Sequence, residues 1–242
     1  MIKPRLSRII EELFATGGNH DIAKHMEIRG KLIEFLQEED HVILSDDDKN
    51  IRLAKDVIHF IDAGRVYAKT TSSKEAYHHV KSFLKRMMET ELNDWHYDEL
   101  VIFISSLHMT ESPEQAIGFA SQANERIISF KRLGVTDNLE AALAGNMCTR
   151  LLNAKHFNED VTIDLADKFG SYLIWIENLV EKNKNSEFLK LVLHVSKIRY
   201  EIFRNDKSEI FALCDGLAQY DEKVKQMISS EVDFYLIEGV FD

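Results

Sequence analysis

Hydrophobic residues recur along this chain at intervals of three and four, which is the spacing of helices that bury one side. The pattern is sharpest in residues 94–134, which contain two apolar stripes: Tyr97, Leu100, Val101, Ile104 and Leu107, then Ala116, Ala120, Ala123, Ile127 and Phe130. Ser112 and Pro113 stand between the stripes and are residue types that favour a helix start. Residues 94–134 are therefore predicted to form two helices joined as a hairpin.

Start and stop signals mark the ends of several predicted helices. Asp94 is predicted to cap the first helix of this hairpin, and Gly134 to close the second. Ser72 and Glu75 form a pair of the capping-box type. Further helices are predicted near residues 4–16, 20–39, 46–63, 73–91, 136–155, 160–181, 186–204, 207–218 and 220–238.

Short connections and the positions of the prolines favour antiparallel helix pairs. Pro4 and Pro113 both stand where a helix begins, so neither breaks a predicted helix interior. The connections at residues 17–19, 158–160 and 182–185 are tight and polar. We therefore predict an all-α chain of antiparallel helical hairpins, stacked as a tetratricopeptide-like superhelical array.

Charge is distributed unevenly along the chain. The 242 residues include 30 Lys and Arg against 41 Asp and Glu, a net charge of −11. Residues 1–90 contain 15 of each sign, so the excess negative charge lies in residues 91–242. We predict one helical-repeat domain over residues 1–242, with residues 1–90 as an N-terminal subregion and residues 91–242 as an acidic hairpin array. The acidic part repels polyanions, which argues against direct binding of nucleic acid.

One segment has the rhythm of a short DNA-binding helix pair. It covers residues 21–36, and the acidic residues 37–40 that follow it do not suit a nucleic-acid surface. An ordinary amphipathic helix explains its apolar positions more simply, namely Ile22, Met26, Ile33 and Leu36.

The cysteines and the absence of long apolar runs predict a cytoplasmic protein. Cys148 and Cys214 lie in helical patterns without metal-ligand spacing, so we interpret both as small buried apolar residues in a reducing compartment, without a structural disulfide. No apolar run approaches the length of a membrane span. We predict neither a cofactor nor a membrane partner.

Motifs of metal sites and enzymes are incomplete in this chain. His20 and Asp21 resemble part of a phosphohydrolase metal site, yet no histidine precedes them. Asp46, Asp48 and Asn50 resemble the start of a calcium loop that lacks its glycine and its final glutamate. Phosphate-binding, dinucleotide-binding and nucleophile-elbow strings are absent. The sequence therefore predicts no metal site and no enzyme of these classes.

Polar residues on one helix are the better candidates for a binding site. Asn146, Arg150 and Asn153 follow at i, i+4 and i+7 and so share a face of the helix near 136–155. Asparagine amides can bond both backbone groups of an extended peptide, and arginine can hold a carboxylate bidentately. The residues that could extend this surface are Asn124, Arg126, Lys197 and Arg204. The same spacing also fits a solvated face or contacts between helices.

The order of several motifs resembles a known family. Residues 95–103, WHYDELVIF, come after Phe83 and Leu84 and before residues 145–152, GNMCTRLL. This order resembles the regulatory domain of Rgg/GadR/MutR-type transcriptional regulators of Gram-positive bacteria. The resemblance implies an α-helical repeat domain that dimerises and binds a short signalling peptide on its concave face. Family members also have an N-terminal helix-turn-helix, which has no convincing equivalent before residue 90.

Two other functions remain open from the sequence. A helical protein-interaction scaffold without a small ligand explains the same residue patterns. An enzyme with an unrecognised acidic site would require carboxylates or histidines that converge in a deep pocket. The predicted function is a non-enzymatic regulatory or sensor domain that binds a short peptide or a protein partner.

Overall fold

The computed structural model describes residues 3–15, 22–40, 48–91, 94–130 and 136–237. These residues form eleven α-helices with short 3₁₀ turns and no β-strand, which confirms the predicted all-α class. In this part of the chain no helix is both long and apolar enough to span a bilayer.

The chain divides into two compact units, Met1–Met109 and Thr110–Asp242. The boundary between the units lies after residue 109, whereas the charge distribution predicted a boundary between subregions near residue 90. The two helices predicted as a hairpin within residues 94–134 both form, and they belong to different units.

The first unit contains five helices and a final 3₁₀ turn. The helices are α1 (Pro4–Ala15), α2 (Ile22–Asp40), α3 (Lys49–Thr70), α4 (Ser73–Glu89) and α5 (Tyr97–Ser106), and the turn is Leu107–Met109. Helix α3 is central, because it packs against α1, α2, α4 and α5.

The aromatic core of this unit lies where α5 begins. Trp95 is buried, and its ring centroid lies 4.8 Å from that of Phe103. Leu100 is also buried, as predicted, whereas Tyr97 is exposed although it continues the same apolar stripe. The prediction that Asp94 caps α5 was wrong. The N-cap is His96, whose backbone N–H donates to the Glu99 carboxylate at 3.0 Å.

The start of α4, the end of α3 and the extent of α2 test three further sequence predictions. Ser72 caps α4 as predicted, because its hydroxyl accepts from the Glu75 N–H at 3.2 Å. Helix α3 continues to Thr70 through Gly64, where the prediction had ended it, because Gly64 is buried in the helix packing. Residues 22–36 lie in the single helix α2 and do not form a helix pair.

Several sequence features lie outside the described residues. They are the connection at 17–19, the His20 and Asp21 pair, Asp46 and the predicted helix stop Gly134. Asp48 is described and caps α3, because its carboxylate accepts from the Asn50 N–H at 2.7 Å.

The second unit contains six helices. They are α6 (Pro113–Ser129), α7 (Thr136–His156), α8 (Leu165–Lys182), α9 (Glu187–Arg204), α10 (Lys207–Asp215) and α11 (Glu222–Ile237), with a 3₁₀ turn at Gly216–Gln219. Ser112 caps α6 at its predicted start, because its hydroxyl accepts from the Gln115 N–H at 3.2 Å.

Helix α7 packs antiparallel to α8 and parallel to α9. The Trp175 indole of α8 donates to Glu140 at 3.2 Å, and Asn183, nearer the end of α8, donates to Asp137 of α7 at 2.7 Å. These two bonds pair later residues of α8 with earlier residues of α7, so the two helices run antiparallel. Helix α9 also contacts α8, α10 and α11.

Two contacts define the register of α7 and α9. A Cβ on Gly145 would lie 3.2 Å from Val192 Cγ1, and about three turns further along both helices the Lys155 ammonium donates to the Phe203 carbonyl. The residue numbers increase together along the two helices, so they are parallel. Alternate helices that run parallel are compatible with stacked hairpins. The tetratricopeptide-like superhelix itself remains a prediction.

The cysteines and the most apolar helix give mixed outcomes. Both cysteines are free thiols, and Cys148 is buried as predicted, with its pKa raised to about 12 by burial, whereas Cys214 is only partly buried. Helix α8 contains the most apolar run of the chain, residues 172–180, and this pattern predicts a helix that is covered on most sides. It buries Ile176 and Leu179 but leaves Ile174 59% exposed.

The packing of the His194 ring is expected to require that residue 216 has no side chain. The His194 ring lies within hydrogen-bond distance of the Leu213 carbonyl, 2.8 Å from Nε2, and an added Cβ on Gly216 would approach ring atom Cε1 to 2.6 Å. Gly216→Ala should displace this ring and lower the free energy of unfolding by about 1–2 kcal/mol. Gly118→Ala is the matched control, because open space surrounds that α6 position. It should raise stability by about 0.5–1 kcal/mol in urea denaturation, and equal effects of the two changes would contradict the assignment.

Candidate functional site

Arg150, a predicted ligand anchor, is completely buried in the second unit. Its Nη2 and Nη1 atoms lie 2.6 and 3.0 Å from the two carboxylate oxygens of Glu159. Its Nε donates to the Thr110 hydroxyl and its Nη2 to the Glu111 carbonyl, both at 3.2 Å. A buried charge requires such compensation. The guanidinium therefore joins α7 to the segments before α6 and after α7, and it is not available to a ligand at the surface.

Asn153 is buried as well, under the last helix. Its side-chain oxygen accepts a hydrogen bond from the Tyr235 hydroxyl of α11. The ring of Tyr235 also lies edge-on to His156, with centroids 5.0 Å apart. In this structure α11 therefore covers the end of the polar face that the sequence predicted on α7.

The rest of this face is more open. Residues spaced three or four apart on one side of α7 define what we call the α7 stripe: Asn138, Ala142, Asn146, Thr149 and Asn153. Asn138 is exposed, and Asn146 is half-buried. The Asn146 amide nitrogen donates to the Ala142 carbonyl at 3.0 Å, while its side-chain oxygen accepts no hydrogen bond from the residues that the structure describes. The open end of the stripe thus retains groups able to bond a peptide backbone.

Geometry on the helix explains why the three predicted residues have different surroundings. At about 100° per residue, Arg150 lies about 40° around α7 from Asn146, and Asn153 lies about 20° from it in the other direction. Arg150 is thereby turned towards the Thr110–Glu111 segment that leads into α6, whereas Asn153 stays on the stripe.

The candidates on α9 do not join the α7 stripe. Lys197 forms an ion pair with Glu177 of α8 at 3.1 Å, and Arg204 forms one with Glu201 of its own helix at 3.1 Å. Both residues lie about 120–140° around α9 from Val192, which is the residue next to Gly145 of α7. They therefore belong to another face of the unit.

The candidates on α6 also have internal roles. Arg126 is buried, donates to the Ser129 hydroxyl at 2.9 Å and lies 4.5 Å from the centroid of the Phe130 ring. Asn124 is half-buried on the same helix.

Helix α11 has an interface with α9 that sequence reasoning missed. Arg199 of α9 and Glu231 of α11 form a two-point ion pair, with N–O distances of 2.6 and 2.9 Å. Ile228, Val232 and Tyr235 of α11 are buried beside this pair. Their spacing of i, i+4 and i+7 could have identified a buried stripe on α11, but not the helices against which it packs.

A second charged cluster lies in the first unit. Arg86 of α4 contacts Asp56 of α3, and its Nη1 lies 3.3 Å from the Glu99 carboxylate of α5. Burial raises the pKa of Asp56 to about 6, although Arg86 acts in the opposite direction. Two carboxylates share one guanidinium, and nearby charge from Glu99 disfavours ionisation of Asp56 further. This cluster joins three helices, which is a structural role.

Within the described residues, no three His, Cys, Asp or Glu side chains are grouped as metal ligands would be. The chain matches no protein-family model, and neither curated proteins nor solved structures give a significant match. The resemblance to Rgg-type regulators therefore rests on the sequence motifs alone.

Arg150→Ala is expected to destabilise the second unit, because it leaves the Glu159 carboxylate without its buried partner. Removal of one partner from such a pair costs about 3–5 kcal/mol. Arg204→Ala is the matched control and should change stability by less than about 0.5 kcal/mol, because the Arg204 side chain is 53% exposed. Urea denaturation followed by circular dichroism measures both. Equal stability of Arg150→Ala and the parent protein would contradict the role of Arg150 as a buried anchor.

Asp56→Asn is expected to change how the stability of the first unit depends on pH. Asp56 has a folded pKa of about 6, above its ordinary value of 3.8, so its contribution is fully present below pH 3.8 and is lost as the pH rises through 6. The substitution should remove this loss and stabilise the unit by about 1–3 kcal/mol at pH 7.

Fluorescence can follow the first unit alone. The chain has two tryptophans, and Trp175→Phe leaves Trp95 as the reporter of the first unit. Asp62→Asn, on the same helix and ion-paired with Arg29, is the control and should keep the pH dependence of the parent. An unchanged pH dependence in Asp56→Asn would assign the loss to another group.

Proposed function

We propose that the second unit is a regulatory or sensor domain that binds a short peptide, or an extended segment of a partner, along the α7 stripe. The observation that carries this proposal is a pair of amides, exposed at Asn138 and half-buried at Asn146, within about 80° of each other around a helix whose other residues are mostly buried. Eight residues of helix separate them by about 12 Å, which about four residues of an extended peptide would span.

An exposed apolar side chain lies level with this part of α7 along the helix axes. Phe188 precedes Val192 by one turn of α9, and the parallel register places it level with Ala141 of α7, where its side chain is 43% exposed. A peptide along Asn138 and Asn146 would have a hydrophobic contact there. Exposed aromatic rings next to hydrogen-bonding groups are frequent features of binding sites.

Charge indicates which peptides the second unit favours. Residues 110–242 contain 15 Lys and Arg against 22 Asp and Glu, a net charge of −7. Like-charge approach reduces the association rate, so neutral or basic peptides should bind best. Arg150 is excluded from the proposed contact because its guanidinium is buried against Glu159.

The resemblance to Rgg-type regulators adds the biological setting to the proposal. It implies a cytoplasmic, non-enzymatic protein that acts as a homodimer and responds to a signalling peptide. Nucleic-acid binding by this chain is not included, because residues 22–36 form one helix followed by acidic residues.

A protein-interaction scaffold without a small ligand is the second candidate. It is favoured by exposed apolar side chains on two helices, Ile174 of α8 and Phe211 of α10, which are 59% and 57% exposed. In this alternative the partner would contact these helices, and substitutions on the α7 stripe would have no effect on binding.

Peptide binding can be tested by calorimetry of the intact chain against a panel of four- to ten-residue peptides that differ in charge. Asn138→Ala and Asn146→Ala should each weaken the best peptide about tenfold, because each removes hydrogen bonds to the peptide backbone. Asn178→Ala, at an exposed position of α8, is the matched control and should leave affinity unchanged. Unchanged affinity in both stripe variants would exclude the α7 stripe. If Ile174→Asp alone abolishes capture of a partner, the scaffold is the better function.

A further inference from the structure

Helix α11 occupies the part of the α7 stripe that a longer ligand would need. From Asn138 to Asn153 the stripe is about 22 Å long, which about seven extended residues would span. A ligand of about four residues fits on the part of the stripe that α11 does not cover. A longer ligand would overlap Tyr235, which covers Asn153.

We propose that α11 is a displaceable cover, and that Arg199 beneath it is the carboxylate-binding residue of this surface. Glu231 occupies Arg199 in the structure, with both carboxylate oxygens bonded to the guanidinium. This geometry is the fork by which arginine binds a carboxylate, including the C-terminus of a peptide. The inference rests on the proposed function, because it describes how access to the same surface is regulated.

Two contacts of α11, four residues apart, indicate which chemical groups a ligand needs in order to replace this helix. Glu231 supplies a carboxylate to Arg199, and Tyr235, one turn later, supplies an aromatic hydroxyl to Asn153. Displacement also exposes Ile228 and Val232, which are buried in the structure. The ligand must therefore bring a carboxylate and apolar or aromatic side chains, which a purely polar peptide does not.

Helix α11 is the last helix of the described chain and packs against α9 and the preceding 3₁₀ turn. Only residues 220–221 connect α11 to the preceding 3₁₀ turn. The packing of α7 against α6, α8 and α9 involves no residue of α11. Ile228, Val232 and Tyr235 share one hydrophobic core with residues of α7, α8 and α9. Detachment of α11 therefore exposes that side of the core and uncovers Arg199 and Asn153 together.

The test uses the α11 sequence itself as the probe, so it does not require the natural ligand. A fluorescein-labelled peptide of residues 222–237, EKVKQMISSEVDFYLI, is added to the full chain and its anisotropy is measured. The parent chain should bind it weakly, because its own α11 occupies the surface. A chain that carries Glu231→Gln and Tyr235→Phe should bind it at least tenfold more tightly, because its α11 has lost both polar contacts.

Matched controls separate this exchange from unspecific binding. A peptide with the same two substitutions should bind neither chain tightly, and a chain with Glu222→Ala, at an exposed position of α11, should behave as the parent. Equal binding of the probe by all chains, or no binding by the doubly substituted chain, would overturn the proposal.

A second measurement applies if the doubly substituted chain does not fold. In the milder Tyr235→Phe chain, hydrogen exchange of α11 amides should become faster while exchange of α9 amides is unchanged. Equal acceleration in α9 and α11 would mean that α11 is an integral part of the fold, and would overturn the proposal. If the labelled α11 peptide binds as expected but no short peptide binds, α11 is still a displaceable cover, and only the proposed peptide-binding function is excluded.

Discussion

The close approach of α7 and α9 at Gly145 sets the arrangement of the second unit. A side chain at this position would begin 3.2 Å from Val192, so glycine lets the two helices approach where a larger residue would separate them. Glycine within a helix costs about 0.5–1 kcal/mol, which the packing of α7 and α9 offsets. Because the helices are parallel, the same contact fixes which residues of α9 lie level with each turn of α7, so that Phe188 is level with Ala141 and Arg199 with the C-terminal half of α7.

The surroundings of α7 decide which of its polar residues remain accessible. Helices α6, α8 and α9 cover three sides, so an arginine turned towards the start of α6 becomes buried and needs Glu159 as its partner. The remaining side is the α7 stripe. Asparagines suit it, because an uncharged amide costs less to bury partly than a charge does. The same side chains can therefore serve either as contacts to α11 or as contacts to a ligand.

Local signals predicted the fold far better than the site. Ser72 and Ser112 cap helices as expected, because capping depends on residues only three positions apart. The periodicity also identified the face that contains Asn146 and Asn153. It could not show that Arg150 is anchored by Thr110, forty positions away, or that Asn153 is covered by Tyr235, eighty-two positions away. Spacing along one helix shows which residues share a face, but not which other helix covers that face.

The polar contacts under α11 are consistent with an interface that opens more readily than an apolar one. Arg199 and Glu231 are partly solvated, with 17% and 15% of their side chains exposed, so separation returns both charges to water at modest cost. The Arg150 side chain is completely buried, so separation from Glu159 would leave its guanidinium without a countercharge or solvent. The two arginines of neighbouring helices thus differ in burial, and Arg150 is in addition held by Thr110 and Glu111. That difference assigns the permanent structural role to Arg150 and the exchangeable one to Arg199.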